Sequence, residues 1–271
     1  MCIAQLIADS RKIVIKIGSS TLAAQDGTVN TAFLDGFSAG VATLLKKNKQ
    51  VVIVSSGAQI AGLSILKKWS RKRDIHYRQA LCAVGQVELM RTWSQAFAKH
   101  GLHIGQILLT RDDFDDSSRT LHMRNTLFTL VDEGIIPIIN ENDTVCVDEI
   151  KIGDNDTLAA QSAVLWSADL LIILSDIDGL YTKNPKEFPD AQILTEVYDL
   201  SSLHIALGTP GAFGTGGIAT KLSAAEQVLS YGIPLVLTNG SSGRILESLA
   251  EGTQQATLFL AAAEKSSADP N

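Results

Sequence analysis

The chain has 271 residues, 45% of them apolar and 19% charged, with a net charge of −6 at pH 7. This length and apolar content support a substantial core and exclude a disordered chain. The negative balance excludes an overall electrostatic draw toward nucleic acid or anionic lipid.

Apolar runs bounded by Gly, Asn or Ser alternate with segments of helical period. IVIKIG (13–18) reads as a buried strand, followed by a helix over 31–47. VVIVSSG (51–57) is the second strand, and helices are predicted from Ala58 and from Arg78. IGQILLT (104–110) is the third strand, with a helix near 119–132, and IIPIIN (135–140) is the fourth. TVCVDEIKIGDND (144–156) reads as a short β-hairpin leading into a helix near Thr157. LLIILSDIDG (170–179) and PLVLTNG (234–240) are the fifth and sixth strands, and TLFLA (257–261) reads as an added edge strand. Continuous Val/Ile/Leu strands separated by helices predict an α/β three-layer sandwich, with a mostly parallel central sheet covered by helices on both faces. Residues 1–260 are expected to form a single domain and 261–271 a flexible tail.

No apolar run approaches the ~20 residues needed to cross a bilayer. MCIAQLIADSRK at the N-terminus lacks the basic flank and apolar core of a signal peptide. Cys2, Cys82 and Cys146 form no C-x-x-C pair, which fits a reducing cytosol and argues against structural zinc. A cytoplasmic protein with no membrane and no nucleic-acid partner is expected. The basic cluster Lys67 to Arg73 and the acidic run Asp112 to Asp116 read as solvated loops beside helix ends.

In such a sheet, ligands sit at the carboxyl ends of the strands. Lys16-Ile17-Gly18-Ser19-Ser20, Ser55-Ser56-Gly57-Ala58, Asn140-Glu141-Asn142-Asp143 and Ser175-Asp176-Ile177-Asp178-Gly179 all fall there. Singly, each is a turn or a helix cap. Together they are small, polar, amide-rich loops converging on one edge. Lys16 lies inside an apolar strand, where a cation needs a partner. It either snorkels out at the strand end or points into the cleft there. Lys221 opens a helix behind Gly214, Gly216 and Gly217, a place where the helix dipole disfavours a cation unless an anion is present. A polyphosphate ligand would account for both lysines. The glycine cluster follows neither the Walker A nor the dinucleotide spelling.

KIGSS (16–20), SSGA (55–58), AVGQ (83–86), INENDTV (139–145), GDND (153–156), LSDIDGLYT (174–182) and GTGGIATK (214–221) occur in the order seen in the amino acid kinase family, which the chain resembles from about Lys12 to Leu260. NENDTV followed closely by GDND, together with GTGG-x-x-TK, resembles the branch that phosphorylates glutamate. The resemblance implies transfer of the ATP γ-phosphoryl group, with Mg2+, to the γ-carboxylate of L-glutamate, giving γ-glutamyl phosphate for proline biosynthesis. It implies Lys16 and Lys221 as the phosphoryl-stabilising pair and Asp156 as the carboxylate that holds both. It implies Ser56, Asp143 and Asn155 as glutamate ligands with Asn140 nearby, and no metal-ligating side chain is assigned. Lys16, Ser175, Asp176, Thr215, Gly216, Gly217, Ile218, Ala219, Thr220 and Lys221 match the nucleotide-binding segments, while Asp154 receives no role. Proline as feedback inhibitor and association into dimers or tetramers are further expectations of the resemblance.

Three departures stand out. Ile218 replaces the methionine usual in GTGGM, a swap of similar volume. Gln59-Ile60 stands where SSGA is usually followed by Ile-Ala. Many relatives carry a further C-terminal domain, whereas this sequence ends at Asn271. The competing readings are a family member acting on N-acetylglutamate, aspartate, carbamate or a nucleoside monophosphate, a non-catalytic nucleotide-binding module, and an RNA binder using the Lys67 to Arg73 cluster.

Overall fold

The alternation within the first strand already sets the architecture. In β1 (Lys12–Ile17), Ile13, Ile15 and Ile17 belong to one buried cluster and Val14 to another, so both faces of the strand are covered. The computed structural model describes residues 2–67, 74–146, 155–183, 185, 187–200, 203 and 217–261. The remaining strands are β2 (Gln50–Ser55), β3 (Ile104–Leu109), β4 (Ile136–Glu141), β5 (Leu170–Ser175), β6 (Leu180–Tyr181), β7 (Ile193–Leu194), β8 (Glu196–Val197), β9 (Leu235–Asn239) and β10 (Ala256–Phe259). The helices are α1 (Ile3–Asp9), α2 (Ser19–Leu22), α3 (Thr31–Lys46), α4 (Ala58–Leu66), α5 (Ile75–Ala98), α6 (Asp112–Asp115), α7 (Ser117–Asp132), α8 (Asp156–Trp166), α9 (Gly217–Leu229) and α10 (Ile245–Ala250).

The central sheet has the order β3-β4-β2-β1-β5-β9-β10-β8 and is parallel except for the β9–β10 pair. One face is covered by α1, α3, α4, α5 and α10, the other by α7, α8 and α9. The three-layer α/β expectation therefore matches the structure. TLFLA is not an edge: β10 is bonded to β9 on one side and to the two-residue β8 on the other. A parallel α/β sheet that turns back antiparallel at its last long strand leaves room for one more short strand, too short to give a periodic signal. β6 pairs with β7 as a separate small ribbon, and α1 and α10 are additions to the predicted elements.

Helix starts follow their caps. Asp116 accepts from Arg119 N at 2.8 Å and begins α7, the helix start expected after the acidic run, but Asp112–Asp115 of that run form the short helix α6 rather than a loop. Asp74 accepts from His76 N and Tyr77 N, which starts α5 at Ile75, ahead of the predicted Arg78. Within the layer of α3 and α5, Phe33, Phe37, Trp93 and Phe97 form a chain of ring contacts 5.6–5.8 Å apart. α4 and α5 meet backbone to backbone: a Cβ at Gly85 would overlap the Ala58 carbonyl oxygen, and one at Gly62 the Leu81 carbonyl oxygen. This contact fixes the start of α4 against the middle of α5. Residues 147–154 of the expected hairpin, Lys68 to Arg73 of the basic cluster, and 262–271 of the tail lie outside the described residues.

Candidate active site

Lys16 sits in the middle of the sheet, paired with Val54 of β2 and Ile173 of β5. The pleat puts its side chain on the α8–α9 face, beside its register neighbours Val54 and Ile173 in that cluster. Its ammonium lies 2.6 Å from Asp156 Oδ1, and neither side chain is more than 4% exposed. Asp156 is the first residue of α8, and its other oxygen, Oδ2, accepts from Lys221 Nζ at 3.0 Å. Lys221 lies one turn into α9 and also donates to the Gly217 carbonyl, while Thr220 Oγ1 donates to Asp156 Oδ2 at 3.2 Å. One carboxylate thus holds two ammonium groups that arrive from β1 and α9. The anion facing the first turn of α9 is this carboxylate, which offsets the unfavourable placement of Lys221 at a helix start.

Asn155 precedes Asp156 and turns the other way. Its Nδ2 donates to the Ser55 carbonyl at 3.0 Å and to Asn140 Oδ1 at 2.8 Å. Asn140 is the next-to-last residue of β4 and donates through Nδ2 to Gln86 Oε1 at 2.8 Å. Ser56 follows β2, just before Gly57, whose φ of +97° is the left-handed turn into α4 that favours glycine. Ser55 is held in turn by Trp93, whose indole N–H donates to Ser55 Oγ at 3.2 Å. The structure therefore brings Ser56, Asn140 and Asn155 to one side of Lys16, on β4 and β2.

Asp143 lies on that same side, after β4. Burial and the charge of Glu141 push its carboxyl up to about 6, and a hydrogen bond from the Cys82 thiol and the nearby Arg78 guanidinium act against that shift. Gln79 Nε2 donates to the Asp143 carbonyl at 3.1 Å. Arg78 is anchored by Gln59, whose Oε1 accepts from Arg78 Nε at 2.9 Å. The departure at Gln59 thus has a structural partner close to the acceptor side. Arg78, Gln79, Cys82, Glu141 and Gln86 have no role assigned from the sequence. Gln79, Cys82 and Gln86 share helical spacing on α5, a pattern that marks one polar face turned toward the site.

On the opposite side of Lys16 stands β5. Ser175 ends it, buried, and its hydroxyl donates to Asp176 Oδ1 at 3.1 Å, while Asp176 itself is exposed. Gly217, Ile218, Ala219 and Thr220 form the first turn of α9 leading to Lys221. Thr215, Gly216 and Asp154 lie outside the described residues.

Chemically, the arrangement offers two ammonium groups on a shared carboxylate, a helix start beside them, and a polar floor of buried amides and a hydroxyl. Such a centre can neutralise transferring phosphate oxygens. Both Asp156 oxygens are already engaged by lysines, and no group of three or more His, Cys, Asp or Glu suited to a metal occurs among the described residues. A Mg2+ ion held mostly by nucleotide phosphates, with few protein carboxylates, is compatible with this set. Among the described residues no helix is long and apolar enough to cross a membrane.

A sequence profile of the amino acid kinase family matches residues 11–239. The chain is 58% identical over 252 residues to the glutamate 5-kinase of Alkaliphilus oremlandii, spanning 92% of this chain and 96% of that one. It is 45% identical to the glutamate 5-kinase of Treponema pallidum over 94% of this chain and 98% of that one. The carbamate kinase of Giardia lamblia bound to AMP-PNP superposes with a TM-score of 0.66 at 16% identity, covering 94% and 99% of the two chains. That last likeness is one of fold.

Proposed function

The chain belongs to the amino acid kinase family, and on that premise we propose that it transfers the γ-phosphoryl group of ATP to the γ-carboxylate of L-glutamate. The product is γ-glutamyl phosphate, the first intermediate of proline biosynthesis. The reading is supported by the high identity to glutamate 5-kinases over nearly the whole chain. The observation that carries it in the structure is the pair Asn155-Asp156. One residue reaches the amide floor on the β4–β2 side, and the next clamps the two lysines on the β1–α9 side.

In this reading Mg-ATP lies over the start of α9 and the end of β5, and glutamate lies over Ser56, Asn140, Asp143 and Asn155. The attacking carboxylate has an unperturbed pKa of about 4.3 and is ionised at neutral pH, so no general base is required. The chemical problem is repulsion between an anionic acceptor and an anionic donor. Lys16 and Lys221 offset it, approaching the transferred group from strand and helix while Asp156 keeps both ammonium groups aimed inward. Mg2+ would be held chiefly by the nucleotide phosphates and would supply charge compensation there. Asp143 pairs with the substrate ammonium. Proline inhibition and association between copies, supported by the resemblance, and a cytoplasmic location, supported by the unpaired cysteine pattern, complete the reading.

The test is release of ADP from Mg-ATP with hydroxylamine present to trap an acyl phosphate, across L-glutamate, N-acetylglutamate, aspartate and UMP. Hydroxamate formed with L-glutamate and not with the others is expected. Turnover with a different acceptor would sink the glutamate assignment, and silence with all four would sink the kinase reading.

A further inference from the structure

The orientations of three side-chain amides are fixed from their backbone ends. The Ser55 carbonyl can only accept and the Glu141 N–H can only donate. Asn155 must therefore turn Nδ2 to Ser55 O, and Asn140 must turn Oδ1 to Glu141 N, 2.9 Å away. Asn155 Nδ2 then donates to Asn140 Oδ1, which leaves Asn140 Nδ2 as a donor that needs an acceptor, and Gln86 Oε1 supplies it. Reversing any one amide would set donor against donor or acceptor against acceptor. At the end of this chain Gln86 Nε2 is shielded from water and has no hydrogen-bond partner among the described residues. The same is true of Asn155 Oδ1 and Ser56 Oγ, on residues 0% and 1% exposed. A buried polar atom left unpaired loses its hydration with nothing in return, so three such atoms around the Asn140–Asn155 pair point to a ligand.

The helix carrying Gln86 defines what that ligand presents. Along one face of α5, Gln79 donates to the Asp143 carbonyl, Cys82 hydrogen-bonds the Asp143 carboxyl, and Gln86 follows one turn on, ~6 Å further along the axis. A carboxylate and an uncommitted amide N–H thus stand a turn apart. The α-carbon of an amino acid carries the complement, an ammonium and a carboxylate.

We propose that Gln86 Nε2 donates to the α-carboxylate of the acceptor and selects a free α-amino acid, while Asp143 takes the ammonium. This rests on the acceptor reading above. It assigns specificity at the end of the substrate far from the transferred phosphoryl group, so its effect falls on acceptor binding rather than on the chemical step.

Gln86→Glu tests it, because the variant keeps an oxygen for Asn140 and replaces only the free N–H with a negatively charged oxygen. At about pH 8, where a glutamate side chain is ionised, KM for L-glutamate should rise at least about 10- to 100-fold, the range of one hydrogen bond to a charged group. KM for ATP and kcat should hold. L-Isoglutamine, the α-amide of glutamate with its γ-carboxylate free, can donate to the new oxygen. The ratio of kcat/KM for isoglutamine over glutamate should therefore rise more than about 100-fold, since both the loss and the gain contribute. An unchanged ratio overturns the proposal, whatever happens to the absolute rates. So does a parallel loss on both acceptors with a lowered Tm, which would make Gln86 a structural support for Asn140 alone. Wild-type enzyme run alongside separates the two readings: if it fails to form hydroxamate from glutamate, the proposed function falls; if it succeeds and the ratio stays fixed, only this assignment falls.

Discussion

Asp156 Oδ1 lies 2.6 Å from the Lys16 ammonium, with both side chains withdrawn from solvent. The strand supplies the cation and the start of α8 supplies the anion, so the pair ties the centre of the sheet to the helix layer above it. Lys221 occupies the second oxygen. Removing the carboxylate takes away the counter-ion that the two buried cations share.

Asp156→Asn should therefore lower both stability and activity. Breaking a buried pair by deleting one partner costs about 3–5 kcal/mol. Phosphate oxygens of the nucleotide can replace the lost charge, so saturating Mg-ATP should raise the Tm of the variant more than that of the wild type. Thermal denaturation with and without Mg-ATP measures this. An equal nucleotide shift in both proteins would mean that the lysines do not face the nucleotide.

Lys221→Ala leaves Lys16 with the whole carboxylate and removes a cation that the proposed reaction needs most when charge builds on the transferred oxygens. The expected loss is about 100- to 1,000-fold in kcat, comparable to deleting one preorganised transition-state donor. KM for glutamate should change little, since the acceptor floor is built on β2 and β4. Steady-state kinetics in both substrates decides it. A large KM effect with kcat intact would take Lys221 out of the chemical step.

The sheet was legible in the sequence because its central strands are buried on both faces and so read as unbroken apolar runs; Lys16 stood out against that background. What spacing does not reveal is the order β4-β2-β1-β5, which puts Ser56, Asn140 and Asp143 on one side of β1 and Ser175 on the other, with Asn155 and Asp156 bonded in different directions between them. The family resemblance assigned candidate residues to acceptor and nucleotide but not the strand order that sets the two groups apart. Cys82 and Gln86 escaped for another reason. A thiol and an amide inside a 24-residue helix look like core and surface until the partner loop is placed beside them. β8 escaped through shortness: Glu196 and Val197 carry no period, yet they cover β10 and turn an expected edge into an interior strand.

Gly85 lets α5 lie against α4, which starts just beyond Ser56. A Cβ there would overlap backbone, at Ala58 O and Gly62 N, and backbone has no rotamer by which to yield. Gly85→Ala should force the helices apart, lower Tm, and raise KM for glutamate more than KM for ATP, since Gln86 and Ser56 both ride on that contact. If Gly85→Ala left both Tm and KM unchanged, the close approach would have no part in shaping the acceptor floor.

The Asp143 carboxyl, raised to about 6 chiefly by burial and then by Glu141, should set the acid limb of glutamate use. An ammonium needs the ionised form, whereas the substrate γ-carboxylate stays charged down to about pH 4–5. Below about 6, kcat/KM for glutamate should fall tenfold per pH unit while kcat at saturation falls less. Stability runs the opposite way. Between the ordinary aspartate range and about 6 the folded protein holds a proton that the unfolded chain has released, so this group makes the ligand-free protein more stable as pH falls through that window. Cys82 and Arg78 on α5 oppose the shift, and Gln59 anchors Arg78. The charged residues from Asp148 to Asp154 lie outside the described residues. Cys82→Ala removes a donor to the ionised form and Gln59→Ile releases the guanidinium, so either should move the acid limb to higher pH, with Cys82→Ser retaining the wild-type profile. The pH profiles of kcat/KM for glutamate and for ATP, measured side by side, test this; a limb that stays in place in both Cys82→Ala and Gln59→Ile would show that neither acts on Asp143.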